Sequence, residues 1–404
     1  FSSNLVISLF LFLLIFIFAP ALEQYTEVEK FSLYLRVESL MIILRALYVV
    51  NFSLTNKQLH FKELSVINIS ANFIAVIASI TMAIYGCGIW SLIFRNIILD
   101  LTLLIIYSIR SRIHVRIGFD KLSFRQLFNF GSFIALSNVL ESLYSNVVSF
   151  FIGKMYSVKD LGYYNQAYSL VQIPIYSVTS VLNQVLFPFF SINQNDKNKI
   201  KLTTKTSIQV FAFCLYPIIV YLICFAKPII ILLYSEKWLP AVPYFQILCL
   251  TGFFNAIIHI NRSVLKSLGY SHLLFKIQLA LSMIGLFLVY IGLQYSLKIL
   301  IFFIVLNTFI SLTITGLFAG NKIGYSIYKQ MLDVLPIFVI SVVVGLLCFF
   351  GFRFIEIPNI LQAFLGIIFY GIFYILLNAI FKIDVFLTLK QYGLNILQTK
   401  HYKK

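Results

Sequence analysis

The sequence predicts an all-α polytopic membrane protein, on three observations. Of its 404 residues 60% are hydrophobic and only 11% charged, against about a quarter charged in a soluble domain. Runs of roughly 20 apolar residues recur from end to end, each long enough to cross a hydrocarbon core of about 30 Å as a helix. No connection exceeds the length of one span, which leaves no room for a soluble catalytic domain. Helices follow because a lipid-exposed backbone must satisfy its hydrogen bonds within each segment.

About twelve spans are predicted in order. The first, 3–22, holds Ala19-Pro20-Ala21, which mimics a signal-peptidase site, but no basic segment precedes Leu5–Phe18 and many spans follow. It reads as a transmembrane helix of a chain expected to lack its natural N-terminus. The next are 33–54, 66–86 and 88–109, then 128–152 and 163–190 on either side of the charged turn "SVKD". Then come 207–234, 243–267, 272–294 and 298–319, and last 334–353 and 358–381.

Alternate connections collect the basic residues: Lys57 and Lys62; Arg110, Arg112, Arg116, Lys121 and Arg125; Lys197, Lys199, Lys201 and Lys205; Lys266; Lys322 and Lys329; and Lys382 to Lys404 in the tail. The opposite connections hold few, several beside Glu23, Glu27, Glu29, Asp160, Glu236 or Glu356. By the positive-inside rule the basic set and both visible ends are cytoplasmic. This also accounts for the net charge of +17; charge spread over many short loops is not a nucleic-acid face.

The five cysteines lie in or beside apolar runs without C-x-x-C pairing, as core residues do. No His/Cys/Asp cluster has metal-ligand spacing, and Gly153-Lys154 lacks the upstream glycine of a phosphate loop. No metal, cofactor or ATP hydrolysis is expected. A faint internal echo pairs "NFSLTNKQ" at Asn51 with "NRSVLKSL" at Asn261, as in transporters built from two related halves.

Polar residues inside the spans form helical stripes. Asn255, His259, Arg262 and Lys266 are spaced 4, 3 and 4, and Tyr168, Gln172, Tyr176, Thr179 and Asn183 follow the same rhythm. So do Asn138, Glu141, Ser145 and Ser149, while Glu38 and Arg45 stand two turns apart; Arg36, Arg95 and Asp100 are further intramembrane charges. One such stripe is adequate helix–helix glue. Several, two carrying arginine, predict a hydrated cavity, because an ionisable group in hydrocarbon costs at least ~2.5 kcal/mol.

The residues "FFIGKMYSVKDLGYYNQAYSLVQIPI" and "LNQVLFPFFS", with the earlier "LRVESLMIILRALYVVNFSLTNKQLHFKEL" and "YGCGIWSLI", resemble the polysaccharide transport family. These are Wzx-like lipid-linked oligosaccharide flippases of the multidrug/oligosaccharidyl-lipid/polysaccharide exporter superfamily. The resemblance runs to about Arg262. It implies a family pattern of fourteen spans in two six-helix-type lobes around a central cavity, with the first two spans absent here. Residues 1–126 would then be the rest of the N-terminal lobe, 127–332 the C-terminal lobe, and 333–404 two appended spans and a basic tail. In the "SVKDLG" turn, Ser157 and Asp160 have capping-box spacing, and Gly162 is expected to permit the close turn. Tyr163 and Tyr164 are expected in an interfacial belt.

The resemblance implies a non-enzymatic transporter of polyprenyl-diphosphate-linked oligosaccharide in the bacterial inner membrane, serving O-antigen, capsule or exopolysaccharide synthesis. Arg262 and Arg45, with Arg36 and Arg95 next, are the expected diphosphate ligands through charge-assisted hydrogen bonds. His259, Asn255, Gln172 and Asn183 are the expected saccharide-side residues. Glu141 and Asp100 are candidates for coupling to H⁺ or Na⁺. The rival within the superfamily, a multidrug cation antiporter, calls for an acidic cavity. A glycan polymerase or ligase calls for a long outward loop, and a scaffold calls for no polar stripes.

Overall fold

The computed structural model describes residues 1–24, 30–58, 61–110, 118, 120–353, 358–387 and 391, excepting the side chains of residues 61, 110, 123, 126, 127, 181–184 and 353. Parts of the basic 110–127 connection and of the tail lie outside them. The described regular elements are all helical, and among the described residues eleven helical stretches are long and apolar enough to cross a membrane. The expected span 128–152 lies in a twelfth long helix, Lys121–Met155. Its stripe of Asn138, Glu141, Ser142, Ser145 and Asn146 leaves it too polar to count among the eleven. The protein is a multi-pass membrane protein, and it divides into two compact units, 1–128 and 129–404.

The first unit contains α1 (Ser2–Glu23), α2 (Phe31–Glu38), α3 (Leu40–Lys57), α4 (Phe61–Ile84), α5 (Trp90–Arg110) and the start of α6 (Lys121–Met155). Its core is small: Leu64, Ile67 and Ala71 of α4 meet Leu103 and Tyr107 of α5. The predicted span 33–54 lies in one candidate span, Phe31–Lys57, with a local irregularity between α2 and α3 at Ser39. Ser39 keeps helical dihedrals; it is buried and its hydroxyl donates to the carbonyl of Arg36 at 2.7 Å.

In the second unit, α7 (Val158–Ile192) begins on a cap that the sequence foretold. Ser157 Oγ accepts from the Asp160 N–H at 3.0 Å. The reciprocal half differs from a capping box: Ser157 Oγ donates to the Asp160 carboxylate at 2.7 Å. Gly162 lies inside the helix with open space about it. Gly153 of α6 is the position of close approach, 3.0 Å from Leu161 where a Cβ would stand.

Then follow α8 (Lys197–Cys224), α9 (Ala226–Tyr234), a 3-10 turn Glu236–Ala241, α10 (Val242–Ser267), α11 (Ser271–Gly292), α12 (Leu297–Ile323), α13 (Ile327–Arg353) and α14 (Asn359–Ile380). The predicted span 207–234 thus breaks at Phe225, whose ring is buried between Tyr221 and Phe352. Helix α10 is the hub, packed on α7, α8 and α12. Gly252 lets α8 close on it, since a Cβ there would stand 2.5 Å from Ile219. Without a hydrophobic drive between lipid-solvated helices, such small-residue contacts carry the packing.

The two helices expected as an appendage are bound tightly within this unit. Tyr221 of α8 donates to the carbonyl of Ala363 and Tyr374 of α14 to that of Phe213 of α8, at 2.7 and 3.0 Å, while Tyr370 ties α14 to α13 through the carbonyl of Ser341 at 2.8 Å.

Candidate functional site

Helices α6, α7 and α10 turn their polar stripes toward one space, and α11 and α12 complete its wall. The result is a cavity of about 600 Å³ lined wholly by the second unit. Asn138, Glu141, Ser145 and Ser149 come from α6, Tyr168, Gln172 and Tyr176 from α7, and Asn255, His259, Arg262 and Lys266 from α10. Only Val148, Leu248, Ile258, Leu281 and Ile304 among the 27 lining residues are aliphatic, so the space suits water and polar ligands. Small-molecule sites are usually lined mainly by apolar groups; here polar and apolar surface are about equal.

At one point of the wall the Arg262 guanidinium is fixed by two partners. Nη1 donates to Glu141 Oε2 at 3.2 Å and Nη2 to Gln278 Oε1 at 2.8 Å. Gln278 in turn donates to Ser282 Oγ at 3.4 Å. The arginine is mostly buried, yet Glu141 is 56% exposed, so the pair is open on the carboxylate side. A guanidinium held by a neutral amide and an exposed acid keeps the charge needed for an incoming anion, at a smaller desolvation cost than a sealed pair.

His259 and Asn255 lie one and two turns before Arg262 on the same face. Gln172 faces them from α7, while the side chain of Asn183 lies outside the described residues. Tyr164, expected at the membrane interface, is buried, stacks on Tyr168 at 5.9 Å and lines the cavity. Tyr163 instead packs edge-on against Trp238. The sequence reading missed Gln278 and Ser282 of α11 and Asn307 and Ser311 of α12, although each pair shows the same spacing of four.

The other expected charges belong to the first unit. Arg45 directs its Nε to both oxygens of Asp100, at 3.2 and 3.0 Å, and Tyr48 donates to the same carboxylate at 2.9 Å. Asp100 is 1% exposed and the Arg45 side chain 53%. The carboxylate therefore grips the root of the guanidinium and leaves its terminal nitrogens clear of the pair. One turn earlier on α5, Asn96 donates to Glu38 at 2.7 Å. Arg36 donates to the carbonyl of Phe16 at 3.1 Å and lies 4.5 Å over that ring. Arg95 is half-buried on α5.

Removing a buried acceptor costs about 1–3 kcal/mol when its donors are stranded. Asp100→Ala is therefore expected to lower the thermal midpoint of the purified protein by several degrees, and Asp100→Asn, which keeps an acceptor, by less. Equal midpoints for wild type and Asp100→Ala would show that the pair does not support the fold.

A family model described as polysaccharide biosynthesis protein matches residues 1–243. The teichuronic acid biosynthesis protein TuaB of Bacillus subtilis (strain 168) is 26% identical over 67% of this chain and 57% of its own length. The succinoglycan biosynthesis transport protein ExoT of Rhizobium meliloti (strain 1021) is 26% identical over 62% and 51%. The lipopolysaccharide biosynthesis protein WzxC of Escherichia coli (strain K12) is 24% identical over 51% and 42%. The chain thus spans about half the length of the curated relatives it matches. Its fold is similar to the lipid II flippase MurJ in an inward closed conformation, with TM-score 0.65 and 19% identity over 93% of this chain and 81% of that one. The resemblance read from the opening half of the sequence therefore holds: the chain belongs to the polysaccharide biosynthesis protein family.

Proposed function

We propose that the protein moves a lipid-linked oligosaccharide across a bacterial inner membrane for surface polysaccharide synthesis, as a transporter and not an enzyme. One observation carries this reading. A family member built of membrane-spanning helices encloses a polar cavity with a half-open arginine in its wall. A diphosphate bearing sugars would cost tens of kcal/mol to pass bare through hydrocarbon. Arg262, helped by Lys266, meets the phosphate through charge-assisted hydrogen bonds. Asn255, His259 and Gln172 meet the sugar hydroxyls, and the prenyl tail stays in lipid.

Alternating exposure of the cavity to the two sides completes the cycle. Glu141 is the stronger coupling candidate: its carboxylate, ionised while the substrate phosphate occupies Arg262, would take a proton or Na⁺ on the empty return stroke. Asp100, gripped by Arg45 and Tyr48, is the weaker one. Arg45 presents its terminal nitrogens as a second anion contact, with Arg36 and Arg95 behind it. The charge of the connections supports a cytoplasmic location for both visible ends. The names of TuaB, ExoT and WzxC, all from polysaccharide synthesis, and that of the lipid II flippase support this substrate class. A cation antiporter is disfavoured because the cavity holds Arg262 and Lys266 against Glu141 alone.

The test is a deletion strain. Loss of the gene is expected to stop surface polysaccharide and to build up lipid-linked oligosaccharide on the cytoplasmic leaflet, with both reversed by the full chain. Normal polysaccharide in the deletion, or altered drug sensitivity alone, would overturn the reading.

A further inference from the structure

The cavity lining is chemically divided. Among the described lining residues, the arginine and the lysine are Arg262 and Lys266, from the last turns of α10 and one turn apart, and His259 lies one turn before them. The α6–α7 wall presents Ser145, Ser149, Asn165, Tyr168, Gln172 and Tyr176, which offer hydroxyls, amides and ring faces without charge. Its one charged group, Glu141, gives only Oε2 to Arg262. The carboxylate is 56% exposed, so its second oxygen is open to the cavity.

We infer that this site selects an oligosaccharide whose phosphate-proximal sugars are uncharged, and that Glu141 sets the preference. The inference rests on the proposed reading that the cavity carries a lipid-linked saccharide. A diphosphate occupies Arg262 and Lys266, and no lining cation then remains for a second anion. Neutral sugars donate hydroxyls to Glu141 and to the amides of the opposite wall, and their C–H faces lie on the Tyr164–Tyr168 ring stack. A uronate in the same place sets its carboxylate against that of Glu141. Repulsion of this kind is how sites reject near-isosteric competitors.

The test uses the full chain in phosphatidylethanolamine–phosphatidylglycerol vesicles with two probes. One is a short-chain polyprenyl diphosphate bearing two neutral hexoses; the other has the proximal hexose oxidised to its uronic acid. The neutral probe is expected to cross at least about tenfold faster, and Glu141→Gln to draw the ratio toward one by speeding the uronate. Equal rates in the wild type, a faster uronate, or a Glu141→Gln protein that discriminates as before would overturn the inference while leaving the flippase reading in place. Movement of neither probe by folded protein would remove that reading and the inference with it. If Glu141→Gln does not fold, Gln172→Arg replaces it. A cation on the neutral wall is expected to favour the uronate probe, and an unchanged ratio would overturn the inference.

Discussion

Arg262→Ala is expected to cut glycan export about a hundredfold or more while leaving membrane insertion and the thermal midpoint nearly unchanged. Each hydrogen bond to a charged group contributes about 1.5–3 kcal/mol, and the substrate phosphate would draw on at least two. The scaffold tolerates the loss because neither partner of Arg262 is stranded in a sealed site. Glu141 is more than half exposed, and Gln278 lines the polar cavity, where water can replace the donor its Oε1 loses. Arg262→Lys is expected to recover only part of the activity. An ammonium keeps the charge but lacks the planar fork that spans two acceptors. Export assays on membranes with matched protein levels decide the matter, and wild-type export by Arg262→Ala would remove the residue from the mechanism.

Gly320→Val is expected to produce the largest loss of stability, about 2–3 kcal/mol, read as a fall in thermal midpoint of roughly 5–10 °C. A Cβ at Gly320 would stand 2.5 Å from the carbonyl oxygen of Tyr325, and a backbone atom cannot swing aside as a side chain does. That carbonyl returns so close because α12 ends in a Schellman turn. The Tyr325 N–H donates to the Gly320 carbonyl at 3.0 Å, and Gly324 adopts φ +67°.

The turn is also the anchor of a network that runs from the buried Asn261 and Gln330 to the half-exposed Lys205. Tyr325 donates to Asp333 at 2.6 Å, and Lys205 of α8 pairs with the same carboxylate at 2.9 Å. Gln330 donates to the Tyr325 carbonyl at 2.9 Å and accepts from Asn261 of α10 at 2.8 Å. Burial, and then the bond to Asp333, raise the Tyr325 phenol above its ordinary range, so it remains a donor at neutral pH. Disturbing Gly320 thus loosens three helices, one of which carries Arg262 at the position after Asn261. Gly320→Val with an unchanged midpoint would show that the turn yields without cost.

Much of this was legible in the sequence because it is local. Apolar runs mark the spans, Ser157 and Asp160 mark a helix start, and a rhythm of four and three marks each polar face. The stripe of α10 reads this way residue by residue. That of Asn307 and Ser311 was just as readable and was passed over because neither is charged. The break at Phe225 was legible but passed over: Pro228 has no N–H to give the Cys224 carbonyl, and its ring crowds that carbonyl. The local turn at Ser39 was not legible, since it is attended only by a side-chain hydroxyl bonded to its own backbone.

By itself, the sequence determined that this is a helical, multi-pass protein and which face of each helix is wet. It also carried enough motif to place its family. Only the tertiary structure decided which wet faces meet. Arg262 answers Glu141 across 121 residues and Arg45 answers Asp100 across 55. The reason is physical: periodicity records where a side chain points on its own helix, whereas the partner of a charge depends on which helices lie side by side.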